Sequence, residues 1–214
     1  MRRAPLLLLA LVPLLLLGPA ARADVVTGTP GDDRLVGTSV ADTVRAGAGD
    51  DSVRARGGDD VVTTGAGRDD VDTGPGDDRV SGGPGADGAA GWAGDDELDG
   101  GSGGDTMAGG AGDDVLRGGA GADALTDWVA TSLDTDGPAD RDRLLGGRGA
   151  DFIGITHGSD VVRAGEGDDV VKLADDGVVD DVDCGGGEDR LLYYSPAVDP
   201  LDVVVGCERV RALG

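Results

Sequence analysis

Aromatic side chains are almost missing from this chain of 214 residues: Trp92, Trp128, Phe152, Tyr193 and Tyr194 are all of them. Aromatics carry much of the buried area of an ordinary globular core, so a core of that kind is excluded. Lysine occurs once (Lys172), histidine once (His157), and asparagine and glutamine not at all. One His and two Cys cannot make the imidazole or thiolate clusters that zinc and copper need. His157 has no Ser or Cys nucleophile context around it and is expected to be solvated and inert. Positive charge is scarce too: 18 Lys+Arg face 42 Asp+Glu, a formal net charge of −24. A polyanion would be repelled, which excludes DNA and RNA as partners. After residue 23 no stretch approaches the roughly 18 apolar residues of a membrane span, so a spanning helix and a pore-forming toxin are excluded from that part.

The first 23 residues read as a leader. Arg2 and Arg3 precede an apolar run from Leu6 to Leu17, Gly18 and Pro19 end it, and Ala21-Arg22-Ala23 is an A-x-A cleavage site. This is the pattern of a secretory signal peptide cleaved after Ala23, and it implies a secreted, extracellular protein. Cleavage removes three arginines and no acid, taking the net charge from −24 to −27. In an exported chain the only two cysteines, Cys184 and Cys207, are expected to form a disulfide. Its loop of roughly 20 residues would contribute on the order of 3 kcal/mol.

Glycine and aspartate are abundant, and they are periodic. Cut every nine residues from Gly28, the chain gives eleven blocks to Thr126. The sixth position is aspartate in all eleven: Asp33, Asp42, Asp51, Asp60, Asp69, Asp78, Asp87, Asp96, Asp105, Asp114 and Asp123. The eighth is apolar in all eleven, from Leu35 to Leu125, and the fourth is Gly in every block except at Val40. The segment 127–136 breaks the phase. It resumes at Gly137 with Asp142, Asp151, Asp160 and Asp169 in the sixth column, passes a poor copy at 175–183, and closes with CGGGEDRLL, whose sixth residue is Asp189.

Each column has a physical reading. Glycine at positions two and four permits φ > 0 and hence a tight loop that turns carbonyl oxygens inward. Aspartate at six adds a carboxylate to that oxygen cage, which suits a hard cation wanting 6–8 oxygen ligands, calcium above others. Position eight, apolar between variable neighbours, has the alternation of a short strand that buries one side chain. Nine residues therefore make a six-residue loop and a three-residue strand. Two units make a coil of 18 residues, and stacked coils make two parallel sheets at about 4.8 Å per coil. The expected fold is an all-β solenoid with two repeats per coil.

The blocks GGSGGDTMA, GGAGDDVLR and GGAGADALT, Gly100 to Thr126, resemble the repeats-in-toxin (RTX), or haemolysin-type, calcium-binding nonapeptide G-G-x-G-x-D-x-U-x. The resemblance implies a right-handed parallel β-roll with calcium ions between the loops of successive coils. It implies that the sixth-position acids listed above, Asp189 among them, ligate the metal, each paired with its counterpart two units on. It places the best sites in Gly100–Thr126 and the poorest at 175–183. Family members often attach the roll to an enzyme, and here there is no room for one. The chain departs from the pattern at Val40, Asp140 and Val178 in the fourth column, and at Ala46, Ala55, Thr64, Thr73 and Ile155 in the first.

The organisation expected is a leader (1–23), a first run of roll (24–126), an insert (127–136), a second run (137–192) and a C-terminal cap (193–214). The tail 203–210 reads as a capping strand that protects the open end of the roll. Trp92 stands where the second-position Gly would be and is expected to pack on the next coil. Trp128, with Asp127, Asp134 and Asp136 in the insert, is either a binding loop or a longer turn packed on the roll. Adjacent acids such as Asp32-Asp33 recur in many units, whereas a catalytic pair is normally unique, so no catalytic residue is assigned. The function expected is calcium binding with calcium-dependent folding and a structural or interaction role, with calcium and a cell-wall or other extracellular polymer as partners. The rival readings are a polysaccharide-active enzyme on a solenoid and an adhesive solenoid. The first wants a basic cluster and the second a regular Thr face, and neither is present in the sequence.

Overall fold

A computed structural model describes residues 22–128, 140–174, 176–194 and 200–213. Most of the expected leader (1–21), the greater part of the insert (129–136) and Asp175 lie outside the described residues. The described chain is all β. Its strands run from β1 (Val25–Thr27) to β20 (Arg209–Ala212), and they alternate between two parallel ten-stranded sheets, odd strands in one and even strands in the other. Each coil thus gives one strand to each sheet, as the nine-residue period requires.

The register is the repeat itself. Val44 pairs with Val62, and Val53 with Val71, each 18 residues on. Across the insert the offset grows to 28 without a break in either sheet: Leu116 pairs with Leu144 and Leu125 with Ile153. The extra residues before the poor copy make the offset 20, with Val162 opposite Val182. The eighth-column side chains meet between the sheets, and Val44, Leu98, Leu116, Leu144 and Leu191 are all at most 1% exposed.

Most of the strands are longer than three residues. Strand β10 (Thr106–Ala111), for example, has six, covering positions seven to nine and one to three. Glycine does not end the ladder there, because the fourth-position N–H still donates to the next coil, as from Gly103 to Ala120 O at 2.7 Å. The first position therefore also faces the core, and Ala46, Ala55, Ile155, Ala164 and Cys184 are buried with the eighth column. This was invisible in the blocks where that residue is glycine.

Close stacking explains why glycine dominates the bends. At Gly103, with φ +135°, a Cβ would lie 1.4 Å from the carbonyl oxygen of Gly85. Two second-position residues keep the same left-handed backbone without being glycine: Arg56 at φ 90° and Trp92 at φ 80°. Such a conformation costs on the order of 1–3 kcal/mol. Arg56 is exposed, so little packing is lost with its side chain. Arg56→Gly should accordingly stabilise the calcium-loaded protein by about 1 kcal/mol, read as a rise in the denaturation midpoint; an unchanged or lowered midpoint contradicts the strain argument.

The tail supplies two strands rather than one. Strand β19 (Val203–Val205) pairs with β17 (Asp181–Gly186), and β20 pairs with β18 (Arg190–Tyr193). It is one more coil, fastened by the Cys184–Cys207 disulfide, whose Cα atoms are 5.2 Å apart. The single lysine, Lys172, lies 5.0 Å from the Phe152 ring and 5.6 Å from the Tyr194 ring, a contact worth about 0.5–1 kcal/mol at an exposed site.

Candidate metal centre

Where the chain turns from one sheet to the other, the main-chain ladder cannot continue, and the sixth-position N–H would be left without a partner. The sixth-position aspartate of the next coil fills that gap with its own Oδ1. In one row the N–H of Asp33, Asp51, Asp69, Asp87 and Asp105 donates to Oδ1 of Asp51, Asp69, Asp87, Asp105 and Asp123, at 2.8–2.9 Å. The row goes on across the insert from Asp123 to Asp151, and then to Asp169 and Asp189. The other row runs from Asp42 through Asp60, Asp78, Asp96 and Asp114. It passes the insert to Asp142 and Asp160. Every acid expected from the sequence therefore stands in one of two straight rows, one along each edge of the roll.

The rows extend past those acids. The N–H of Asp160 donates to Oδ1 of Asp180 and that of Asp180 to Oδ1 of Asp202. The N–H of Asp189 donates to Oε2 of Glu208. Asp180 sits in the degenerate copy, and Asp202 and Glu208 precede the two tail strands at irregular spacing. The nine-residue period could not find the last two; only the sheet register does.

One carboxylate oxygen is thus spent on the backbone. The other is the chemically significant one. Oδ2 of thirteen sixth-position acids, from Asp51 to Asp189, is buried and has no hydrogen-bond partner. A buried charged oxygen left this way costs several kcal/mol unless it meets a proton or a cation. The first coil differs. There Thr29 donates to Oδ2 of Asp33 through its N–H and hydroxyl, and the Thr38 N–H donates to Oδ2 of Asp42.

The space around the orphaned oxygens is a cradle. At Gly82 an added Cβ would lie 2.6 Å from Oδ2 of Asp87 and 2.6 Å from the carbonyl oxygen of Gly100. At Gly118 it would lie 2.5 Å from Oδ2 of Asp123 and 2.6 Å from Gly146 O. Carboxylate and carbonyl oxygens of successive coils thus converge where the first-position side chain is missing. Two cradles carry a hydroxyl instead: Oγ1 of Thr64 donates to Gly82 O at 2.8 Å, and Oγ1 of Thr73 to Gly91 O at 2.9 Å. The donor set is all oxygen, hard and anionic, which fits calcium. The residues present therefore fit the ion that the fold implies, with the sixth-position acids and the first-position carbonyls as its holders.

Electrostatics agrees. Burial first, and neighbouring acids after it, raise the carboxyl groups against the pull of the backbone N–H. Asp96 and Asp160 are pushed up to about 8, Asp114 to about 7 and Asp142 to about 9. Asp60, Asp105 and Asp151 reach about 6. Asp42 goes the other way: burial raises it, but the N–H groups of Asp24 and Thr38 and the Thr38 hydroxyl outweigh that and hold it below the usual range.

The fifth-position acids make an outer ladder of opposite sense. The N–H of Asp95 donates to Oδ1 of Asp77, and that of Asp113 to Oδ1 of Asp95, both at 3.0 Å and both exposed. They add negative field and no enclosed site. Trp92 is half-buried and Trp128 is 41% exposed. His157 is half-buried rather than solvated, and burial pushes Asp127 up to about 6 against the hydrogen bonds that Thr156 and the His157 backbone give it.

A family model described as RTX calcium-binding nonapeptide repeat (4 copies) matches residues 21–39, 36–71, 72–107, 99–126, 136–153 and 157–175. No curated protein matches the chain. The matched spans stop before Asp180, yet both acid rows continue through the last coil.

Proposed function

From the premise that the chain belongs to the RTX calcium-binding nonapeptide repeat family, we propose that it is a secreted protein whose β-roll folds on calcium and then serves a structural or interaction role. The repeats bind calcium ions, several per domain. The observation that carries the rest of the reading is the set of buried, unpartnered Oδ2 atoms in two rows. A roll whose interior charges need a cation to be neutral switches between an extended and a compact chain as it meets calcium outside the cell. The leader-like residues 1–23 support export, and a disulfide between Cys184 and Cys207 suits an oxidising compartment. The compact form would present a rigid acidic rod to a cell-wall or other extracellular polymer.

Counting bound calcium tests this. Asp105→Asn and Asp114→Asn should each lower the calcium held at saturation by one or two ions, because their Oδ2 atoms are orphaned. Asp33→Asn should lower it little, because Thr29 already satisfies that carboxylate. Equal losses at Asp33 and Asp105, measured by equilibrium dialysis, would remove the basis of the reading. So would the absence of any bound calcium.

A further inference from the structure

The insert marks a place where the roll is chemically different. The register of β12 (Ala124–Thr126) continues through Asp127: its N–H donates to Gly154 O, and its carbonyl accepts from Gly110 N. Thr126 pairs with Ala108 on one side and Gly154 on the other. Asp127 therefore falls opposite Gly109 and Ile155, both first-position residues. A Cβ at Gly109 would lie 2.2 Å from Oδ2 of Asp114, the sixth-position acid of the same turn. The first-position side chain thus aims into the cradle, and here that side chain is itself a carboxylate.

The result is three acids where the other cradles have a row pair. Asp127, Asp142 and Asp160 each offer a carboxylate oxygen, and these oxygens all lie within 4.8 Å of one another. The residues are 0%, 1% and 2% exposed. Each is held by one oxygen. Thr156 donates to Oδ2 of Asp127 through its N–H and its hydroxyl. The N–H of Asp114 donates to Oδ1 of Asp142, and that of Asp142 to Oδ1 of Asp160. Oδ1 of Asp127 and Oδ2 of Asp142 remain buried with no hydrogen-bond partner.

We propose that Asp127, Asp142 and Asp160 form a three-carboxylate cation site that binds calcium more tightly than the remaining cradles of the roll. The reason is ligand charge: affinity for a hard cation rises with the number of charged oxygens and the rigidity of the site. The third carboxylate comes from a column that the repeat fills mostly with glycine, alanine or threonine, and with Ile155 and Cys184 further on. Its place makes this ion a staple between coils whose register offset is 28 residues rather than 18. A site with three negative charges also favours a trivalent lanthanide more than its neighbours do, which supplies a probe.

This inference rests on the calcium-binding reading above, and the experiment separates the two. Calcium and terbium titrations of the full chain, stripped of metal first, should resolve one site at least tenfold tighter than the rest. In a Trp92→Phe background Trp128 is the only tryptophan and lies next to Asp127, so the first equivalent of terbium should show tryptophan-sensitised emission. Asp127→Asn keeps the shape and removes the charge, and Asp127→Gly restores the residue most turns carry. Both should weaken the first site tenfold or more and leave the other sites unchanged. A single class of equal sites in the unmutated chain overturns the inference, whatever the variants do. So does a tight first site that survives in both variants. No calcium binding at all overturns this inference and the proposed function together.

Discussion

Stripped of calcium at pH 8, the protein should lose its β spectrum and become a coil. The eighth column buries mostly Val and Leu, a thin core for two ten-stranded sheets. Against it stand two rows of carboxylates about one strand spacing apart, roughly 5 Å, where like charges repel by several kcal/mol at intermediate dielectric. A site at ten times its Kd contributes about 1.4 kcal/mol by linkage. Ten such sites would contribute about 14 kcal/mol, comparable to the whole stability of a typical domain, about 5–15 kcal/mol. Circular dichroism with excess chelator, and again after calcium is restored, reads the effect directly. A β spectrum that persists in chelator at pH 8 would show that the core and disulfide suffice without metal. Magnesium should restore it poorly, because it demands a tight octahedron and releases its waters reluctantly.

Acid should do what calcium does. In chelator, lowering the pH from 8 to 5 should bring the β spectrum back. The sign follows from the raised carboxyls. Their folded-state values, about 7 at Asp114, about 8 at Asp96 and Asp160 and about 9 at Asp142, lie above the ordinary value near 4. Such groups favour the fold fully below the unfolded value and lose that contribution as pH rises through the folded one. Each pH unit in that window costs about 1.4 kcal/mol per group that must lose its proton, and the four acids stand consecutively in one row, so each charge formed also raises the cost of the next. Asp42, held below the usual range by its hydrogen bonds, opposes this only at lower pH still. The measurement belongs at pH 5, above the isoelectric point of about 4.1, with sedimentation velocity to show that the protein is monomeric. A chain that remains coil in chelator at pH 5 would mean that charge on the rows is not what keeps the metal-free roll open.

Much of the candidate centre was legible because nine residues is both the chemical and the geometric unit. The sixth-column aspartates from Asp51 to Asp169 needed only counting, and the sheets place them in two rows at the expected partners. What escaped the sequence had lost its phase. Asp202 and Glu208 take the sixth-position role in a last coil whose spacing is irregular. The caps on Asp33 and Asp42 escaped as well, since Thr29 and Thr38 look like ordinary departures from glycine until their N–H groups are seen on the carboxylates.

The sequence by itself determined the fold class, the two-unit coil and the oxygen-rich columns, because a parallel solenoid repeats one local conformation and each column meets its own copy. Tertiary structure alone decided how each carboxylate divides its two oxygens between a backbone N–H and the cradle. It also decided that the first position faces the core and that Asp127 joins Asp142 and Asp160 across the insert. Those outcomes depend on where one coil stacks on the next. That stacking is set by the hydrogen-bond register across 18, 20 or 28 residues, a distance over which a local pattern carries no information once its phase has slipped.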